Sequence, residues 1–370
     1  MWAMIQALLI KEFLALVRDR KSRFILIGPP VIQLFVFSYA ATFDLSHIPI
    51  AIYNEDRSLA SRDFIERFTA APAFTEVLTI TRQEQIAPAL DEKKVLAVLH
   101  LGPHFSRDLY LGRQPAVAQI LIDGRDSNTA LIALNYMQSI VAAFNLDWAR
   151  RHNLPLPPAQ LEIRAWFNPN LESQWFIVSG IVGLLTLVVT IVVTALSIAR
   201  EREQGTFDQL LVTPLTPFQI LVGKALPAAI IGILEASFII FMAVFWFELP
   251  MIGSLAALYL GVALFVLSVI GIGLMISSLS VTQQQSLLGT FLFIVPAVIL
   301  SGFATPIANM PAWVQQLTLL NPLRYFLIIV RGVFLEGLPM SVLFSQYWPL
   351  AVIGAVTLIC ASWLFRRRMY

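Results

Sequence analysis

Long apolar runs alternate along this chain with segments of ordinary polarity, and the lengths of those runs set the first expectations. An α-helix needs about 20 mainly apolar residues to cross a hydrocarbon core of about 30 Å. Segments 24–43, 173–199, 225–247, 255–279, 286–304 and 347–365 meet that requirement. No charged residue occurs from Leu249 to Leu323, too long a stretch for one crossing, and the polar run Ser280-Val281-Thr282-Gln283-Gln284-Gln285 divides it. Ahead of the first run, Trp2, Ile5, Leu8, Leu9, Phe13, Leu16 and Val17 recur at helical spacing, with Gln6, Lys11, Glu12 and Arg18 elsewhere. That pattern predicts an amphipathic helix over 1–23 lying along a membrane surface. A cleaved signal peptide ending at Ser38-Tyr39-Ala40 is the rival reading, and the length of the amphipathic segment argues against it.

Between the first two apolar runs, in 44–172, the period changes. Segments 48–53, 74–80, 95–101 and 116–122 read as short strands, and 58–70, 82–92, 103–112 and 127–152 as helices. Strands and helices alternating at this spacing predict a small α/β domain, helices layered on a mixed sheet. Leu154-Pro155-Leu156-Pro157-Pro158 reads as a rigid linker back towards the second run.

Charge supplies the orientation. Lys11, Arg18, Arg20, Lys21 and Arg23 precede the first run, Arg200, Arg202 and Lys224 lie between the second and third, and Arg366, Arg367 and Arg368 occupy the tail 366–370. With six crossings all of these fall on one face, which the excess of basic residues marks as cytoplasmic. The expected fold is therefore a polytopic α-helical membrane protein with six transmembrane helices, both termini cytoplasmic, and a large periplasmic α/β domain between helices one and two. Composition agrees: the chain is 58% hydrophobic and 13% charged, against about 25% charged in soluble domains. A net charge of +2 gives no reason to expect a nucleic-acid partner. Cys360 is the single cysteine, so neither an intrachain disulfide nor a thiolate metal site is expected. Of His47, His100, His104 and His152 only the weak pair His100 and His104 has any metal-like spacing, and Asp123-Gly124-Arg125-Asp126-Ser127 reads as a turn and helix cap. The outer domain is expected to be a docking surface without catalytic or metal chemistry.

The most informative polar stretch is the loop 200–224. It leaves the membrane through Arg200-Glu201-Arg202-Glu203-Gln204; Gly205 breaks the helix, Thr206 serves as a cap, Phe207, Leu210 and Leu211 share a face, and Thr213-Pro214 stops the segment. Such a short amphipathic helix suits receiving a push from a soluble partner; an ordinary membrane-surface loop is the alternative. Glu235 stands near the middle of the third run, where an ionised carboxylate costs about 2.5–3.5 kcal/mol. Two readings stay open, a group lining a substrate path or a hydrogen bond to a neighbouring Ser or Thr. In 305–346, Pro311 and Asn321-Pro322 start two short helices, 311–319 and 322–334, with Trp313, Leu317 and Leu320 as an apolar stripe. They are expected to dip into the outer leaflet and return, with Arg324, Arg331 and Glu336 as interfacial anchors. A phosphate-cradling loop requires G-x-x-x-x-G-K-[ST], and here Gly223-Lys224 is followed by Ala225 with no glycine five residues before Gly223.

Taken in order, Phe167-Asn168-Pro169-Asn170-Leu171, the run 200–206, Leu210-Leu211, Thr213-Pro214, Gly223-Lys224, Thr282-Gln283-Gln284-Gln285, Ser301-Gly302, Met310-Pro311-Ala312-Trp313 and Asn321-Pro322-Leu323-Arg324 span nearly the whole chain. This set resembles the signature of type-2 ATP-binding-cassette (ABC) transporter permeases, more narrowly their YbhR/YbhS-like branch of multidrug or cation exporters. The resemblance implies that Arg200, Glu201, Arg202, Glu203, Gly205, Thr206, Leu210, Leu211, Thr213 and Pro214 form a coupling helix docking on a separate ATPase subunit. It implies a second permease, identical or homologous, with ATP and magnesium held by the ATPase and no cofactor bound by this chain. It also implies that Pro311, Trp313, Asn321, Pro322 and Arg324 belong to an outer lid. Cargo would be a drug, a cation or an amphipathic molecule, exported across the bacterial inner membrane by alternating access and passed to a periplasmic adaptor protein, with membrane lipid as the surrounding solvent. The competing classes are a channel or carrier without an ATPase, and an envelope scaffold or receptor.

Overall fold

The change of period near residue 44 is a change of structural unit. In the computed structural model Phe43–Arg164 form one compact unit, and Met1–Thr42 with Ala165–Tyr370 form the other. The residues described are 9–11, 13, 14, 18, 20–40, 47–74, 76–112, 114–125, 127–155, 166–168, 172–207 and 216–369. Of the expected surface helix 1–23, the described residues Leu9, Ile10, Lys11, Phe13, Leu14 and Arg18 are helical. The next helix is α1 (Arg20–Ala40).

The smaller unit runs β1 (Pro49–Asn54), α2 (Leu59–Thr69), β2 (Glu76–Ile80), α3 (Ile86–Asp91), β3 (Ala97–Leu101), α4 (Phe105–Leu111), β4 (Ala118–Ile122) and α5 (Ser127–Arg151). Its sheet is mixed, in the order β2-β1-β3-β4, with β1 parallel to β2 and β3 and β4 antiparallel to β3. Side chains alternate across a strand, so the central strands feed two cores. Ile50, Leu99 and Leu101 pack with Phe64, Phe68 and Phe144 on one face, while Ala51 and Val98 pack with Ile80, Ile86 and Ala89 on the other. Burial on both faces explains why β1 and β3 read as nearly continuous apolar runs. Phe64 and Phe68 of α2 and Ile86 and Ala89 of α3 belong to these two cores, so the two helices cover opposite faces, as right-handed crossovers require. Ser58 starts α2 by accepting the Ser61 amide at 3.1 Å.

The helix α5 is long and apolar enough to resemble a crossing. Its Ala133, Met137, Phe144 and Trp148 nevertheless form one stripe buried in the sheet's core. Arg67 and Asp63 of α2 pair with Asp147 and Arg151 on the same helix. It is a domain helix.

The larger unit contains α6 (Ser173–Glu203), α7 (Pro217–Phe245), α8 (Leu255–Leu279), α9 (Gln283–Ile299), α10 (Ala312–Leu317), α11 (Pro322–Arg331) and α12 (Met340–Met369). Among the described residues five helices are long and apolar enough to cross a membrane, or six if the bent pair α10–α11 counts as one. Apart from α5, these are α6, α7, α8 and α12, at the places expected for the second, third, fourth and sixth crossings. The expected first crossing is helical as α1, with Pro29 and Pro30 inside it, and the expected fifth is α9, apolar but only 17 residues long.

Helix α6 is the axis of the unit, packed against α1, α7, α8, α9 and α11. The outer faces of α7 and α12 stay apolar, with Leu234, Phe238, Phe241, Val352, Val356 and Ile359 exposed, as lipid-facing helices require. Close approach depends on small residues. A methyl group at Gly271 would strike Thr357 and the backbone nitrogen of Leu358 on α12, and one at Gly273 would strike Thr194 on α6.

The segment after α9 matches the expected pair of short helices. α10 runs into a 3-10 turn, Thr318–Leu320, and meets α11 at 84°. Asn321 makes that corner: its side chain accepts the Leu323 amide at 3.1 Å and donates to the Ala297 carbonyl at 2.6 Å. α11 continues as a wider turn, Gly332–Glu336, and ends at Gly337 in a left-handed conformation (φ +67).

Candidate functional site

At the end of α6 the charged run folds back on the bundle. The Glu201 carboxylate is 7% exposed as a residue and sits between Lys224 of α7 and Lys11 of the N-terminal segment, each at 2.8 Å. Lys224 is 2% exposed and also donates to the Ser197 carbonyl at 3.3 Å, one helical turn before Glu201. The Lys224 ammonium reaches this place because α7 starts cleanly. Thr216 and Gln219 cap its first turn reciprocally, and Pro217 fits the first helical position. A buried ion pair stands only when both partners are present and further hydrogen bonds satisfy them. Here the third charge and the Ser197 carbonyl do that.

Arg202 reaches sideways and donates to the Ser278 and Ser280 carbonyls, at 3.0 and 3.1 Å. These are end groups of α8, where a cation also meets the negative end of the helix dipole. Its guanidinium lies 4.9 Å from the centroid of Phe207, whose ring in turn meets Phe365 of α12 edge-on. Glu203 accepts the Gln283 amide at 2.7 Å, the mirror case at the positive start of α9. Gly205 then turns the chain. It has φ +69, with the Thr206 amide bonded to Glu201 at 3.0 Å and the Gly205 amide to Arg202 at 3.1 Å, the hydrogen-bond pair of a helix-ending glycine motif. The Thr206 hydroxyl donates back to the Glu201 carbonyl at 3.3 Å, and the turn it was expected to cap lies outside the described residues.

Glu201, Arg202 and Glu203 are engaged inside the chain and fix the direction in which it leaves α6. Arg200 is half-buried, while Gln204 and Gly205 are exposed. The expected coupling residues Leu210, Leu211, Thr213 and Pro214 lie outside the described residues.

Glu235 of α7 has both carboxyl oxygens buried with no hydrogen-bond partner among the described residues. The hydrogen bond to a neighbouring Ser or Thr, one of the two readings, is not formed. Ser237 bonds instead to the Ile233 carbonyl and to the Tyr259 hydroxyl. One turn before Glu235, Gly232 faces Thr190 of α6, whose buried hydroxyl also lacks a partner.

Among the expected lid residues, Trp313 is exposed, Pro311 and Pro322 precede or start their helices, and Arg324 bonds to the Thr318 hydroxyl. Arg331 departs from the expected surface anchor. Its Nε and one terminal nitrogen are buried without a partner, and the guanidinium stacks 4.0 Å over the ring of Phe176 in α6. Sequence reasoning missed this stacked pair and missed Lys224 as a counter-ion. The available signal was a basic residue close to an apolar helix terminus, which reads equally well as a topology marker. In the smaller unit, Asp123 forms the expected turn, bonded to the Arg125 guanidinium at 2.8 Å and to its amide at 3.0 Å. These bonds, the side-chain one first, hold the Asp123 carboxyl down at about 2.

A bundle of apolar helices with buried charges clustered at one helix end, and a separate α/β domain inserted after its first helix, is the build of a multi-pass membrane transport protein. The model of the ABC-2 family transporter proteins matches residues 20–364, and the chain belongs to that family as a permease. It is 41% identical over 369 residues to the probable multidrug ABC transporter permease YbhR of Escherichia coli K12, covering 100% of this chain and 99% of that one. It is 32% identical over 373 residues to the probable multidrug ABC transporter permease YbhS of the same strain, covering 99% and 97%. It is 29% identical over 362 residues to the inner membrane transport permease YhhJ, covering 97% and 96%.

Proposed function

We propose that this permease is the membrane half of an ATP-driven exporter and carries drugs, cations or amphipathic molecules outward across the bacterial inner membrane. The supporting observation is the braced exit of α6: Glu201, Arg202 and Glu203 tie it to α7, α8 and α9, and Gly205 then releases the chain into 206–216. A push on that short segment is delivered to three helices at once. The segment is the docking element for an ATPase subunit, which holds the ATP and magnesium and performs the hydrolysis. The chain pairs with a second permease, identical or homologous. Both termini and 200–224 face the cytoplasm, and 44–172 face the periplasm, where an adaptor protein takes the cargo. The bent pair α10–α11, with Pro311, Trp313, Asn321, Pro322 and Arg324, is the outer lid.

Cargo class rests on two supports: two of the relatives are named for multidrug transport, and Glu235 offers a buried acid with no partner of its own. A cationic or amphipathic cargo supplies the counter-charge that the protein withholds.

The test is co-purification. The tagged permease, expressed with its candidate ATPase subunit, is expected to retain that subunit through affinity and size-exclusion steps, and deletion of 206–215 to release it while the permease stays monodisperse. Retention of the ATPase by the deletion variant overturns the docking assignment. Labelling of a cysteine at Gln204 from outside intact cells overturns the orientation.

A further inference from the structure

We propose that the α/β unit carries a binding pocket for an anionic molecule with a small apolar body, a phosphate monoester or a carboxylic acid. The pocket has a volume of about 620 Å³, within the range of about 300–1,000 Å³ usual for small-molecule sites. It opens at the carboxyl ends of the parallel strands β1 and β2 beside α2, and is lined among others by Tyr53, Arg57, Arg62, Ile65, Thr79 and Thr81. The carboxyl end of parallel strands is where open α/β sheets receive ligands.

Charge selects the ligand. The acids nearest the rim are hydrogen-bonded within the unit: Glu55 to the His100 ring at 2.8 Å, and Asp56 to Ser58 and to the Ser106 hydroxyl at 2.7 Å. The guanidinium groups of Arg57 and Arg62 have no hydrogen-bond or ion-pair partner among the described residues. Both side chains are exposed, so neither bears a burial cost that an internal partner must offset. Arg57 is held at the rim by its backbone, in the left-handed region (φ 55), with the Asn54 carboxamide oxygen accepting the Asp56 and Arg57 amides at 3.1 and 3.4 Å. Two planar forks of donors suit one carboxylate or phosphate group. The Thr79 hydroxyl adds a neutral donor, and Ile65 with Val77 and Ile52 forms an apolar wall for the rest of the ligand. An inorganic anion fills only the charged part.

The site stands apart from the transport reading, since it uses no residue of the helical bundle. Full-length protein in nanodiscs of zwitterionic lipid is titrated calorimetrically with phenyl phosphate and with inorganic phosphate. Saturable binding of phenyl phosphate is expected, about tenfold tighter than inorganic phosphate, and about tenfold weaker in Arg57→Gln or Arg62→Gln. Repeating the titration in nanodiscs with an anionic phospholipid fraction separates the sources: loss of phenyl phosphate binding there identifies a lipid headgroup as the occupant, and unchanged binding identifies a soluble anion. Absence of saturable binding, or equal binding by both variants and the parent chain, overturns the proposal. Equal affinity for the two phosphates overturns the apolar half of it. Both substituted side chains are solvent-exposed, and the calorimetric unfolding temperature verifies that the variants fold.

Discussion

The carboxylate of Glu201 and the ammonium of Lys224 meet at 2.8 Å, with the lysine side chain wholly buried. Removing one member of such a pair leaves an uncompensated charge at about 3–5 kcal/mol, whereas removing both is far cheaper. Glu201→Gln is expected to destabilise the bundle by about 3 kcal/mol, read as a lowered unfolding temperature in detergent. Glu201→Gln with Lys224→Met together recovers most of that loss. A double variant whose destabilisation equals the sum of those of Glu201→Gln and Lys224→Met shows that the pair has no energetic coupling.

Glu235→Gln keeps shape and removes the ionisable group. With the ATPase subunit present, export of a cationic dye from cells or proteoliposomes is expected to fall about tenfold, equivalent to about 1.4 kcal/mol, while ATPase retention and export of a neutral substrate stay as they were. Unchanged flux of the cationic substrate removes Glu235 from the path.

Gly271 of α8 lies against Thr357 and the Leu358 backbone of α12. Backbone does not yield as a flexible side chain does, so Gly271→Val forces the helices apart. A loss of about 1–3 kcal/mol is expected from such overpacking, visible as a lower unfolding temperature and reduced yield of monodisperse protein. Gly205→Ala tests a different property. The space around Gly205 is open, but its φ of +69 strains any residue with a Cβ. About 1 kcal/mol is expected, with weaker ATPase retention because the exit direction shifts.

The pH response of the α/β unit follows from Asp123, whose carboxyl is held at about 2 by the side-chain and then the backbone hydrogen bonds of Arg125. Its unfolded value is about 3.9. A depressed folded value means the turn's contribution is complete above the unfolded value and is lost as pH falls from about 4 towards 2. Carbon-detected titration of the Asp123 carboxyl is expected to show a midpoint near the lower figure, and in Arg125→Gln a midpoint near the unfolded one.

How far the sequence reached differs between kinds of feature. Run lengths placed four of the long helices, and short β-branched or alternating segments placed the four strands of the mixed sheet, because both signals are set by neighbours a few residues away. The Asn321-Pro322 start of α11 was legible for the same reason. The fate of the charged run was not: in the chain Glu201 is one charge among several, and its partners Lys224 and Lys11 are distant in sequence. Only the folding back of α7 along α6 decides that this carboxylate is gripped from inside.

By itself, then, the sequence determined that the chain is a multi-pass membrane protein, where the helices and strands run, and which transporter family it belongs to, since all of these rest on local pattern. The tertiary structure alone decided that Glu201 is gripped by Lys224 and Lys11, that Arg331 is stacked on Phe176, and that Glu235 has no hydrogen-bond partner among the described residues. The physical reason is that burial and pairing depend on which surfaces meet, and those contacts join residues far apart along the chain.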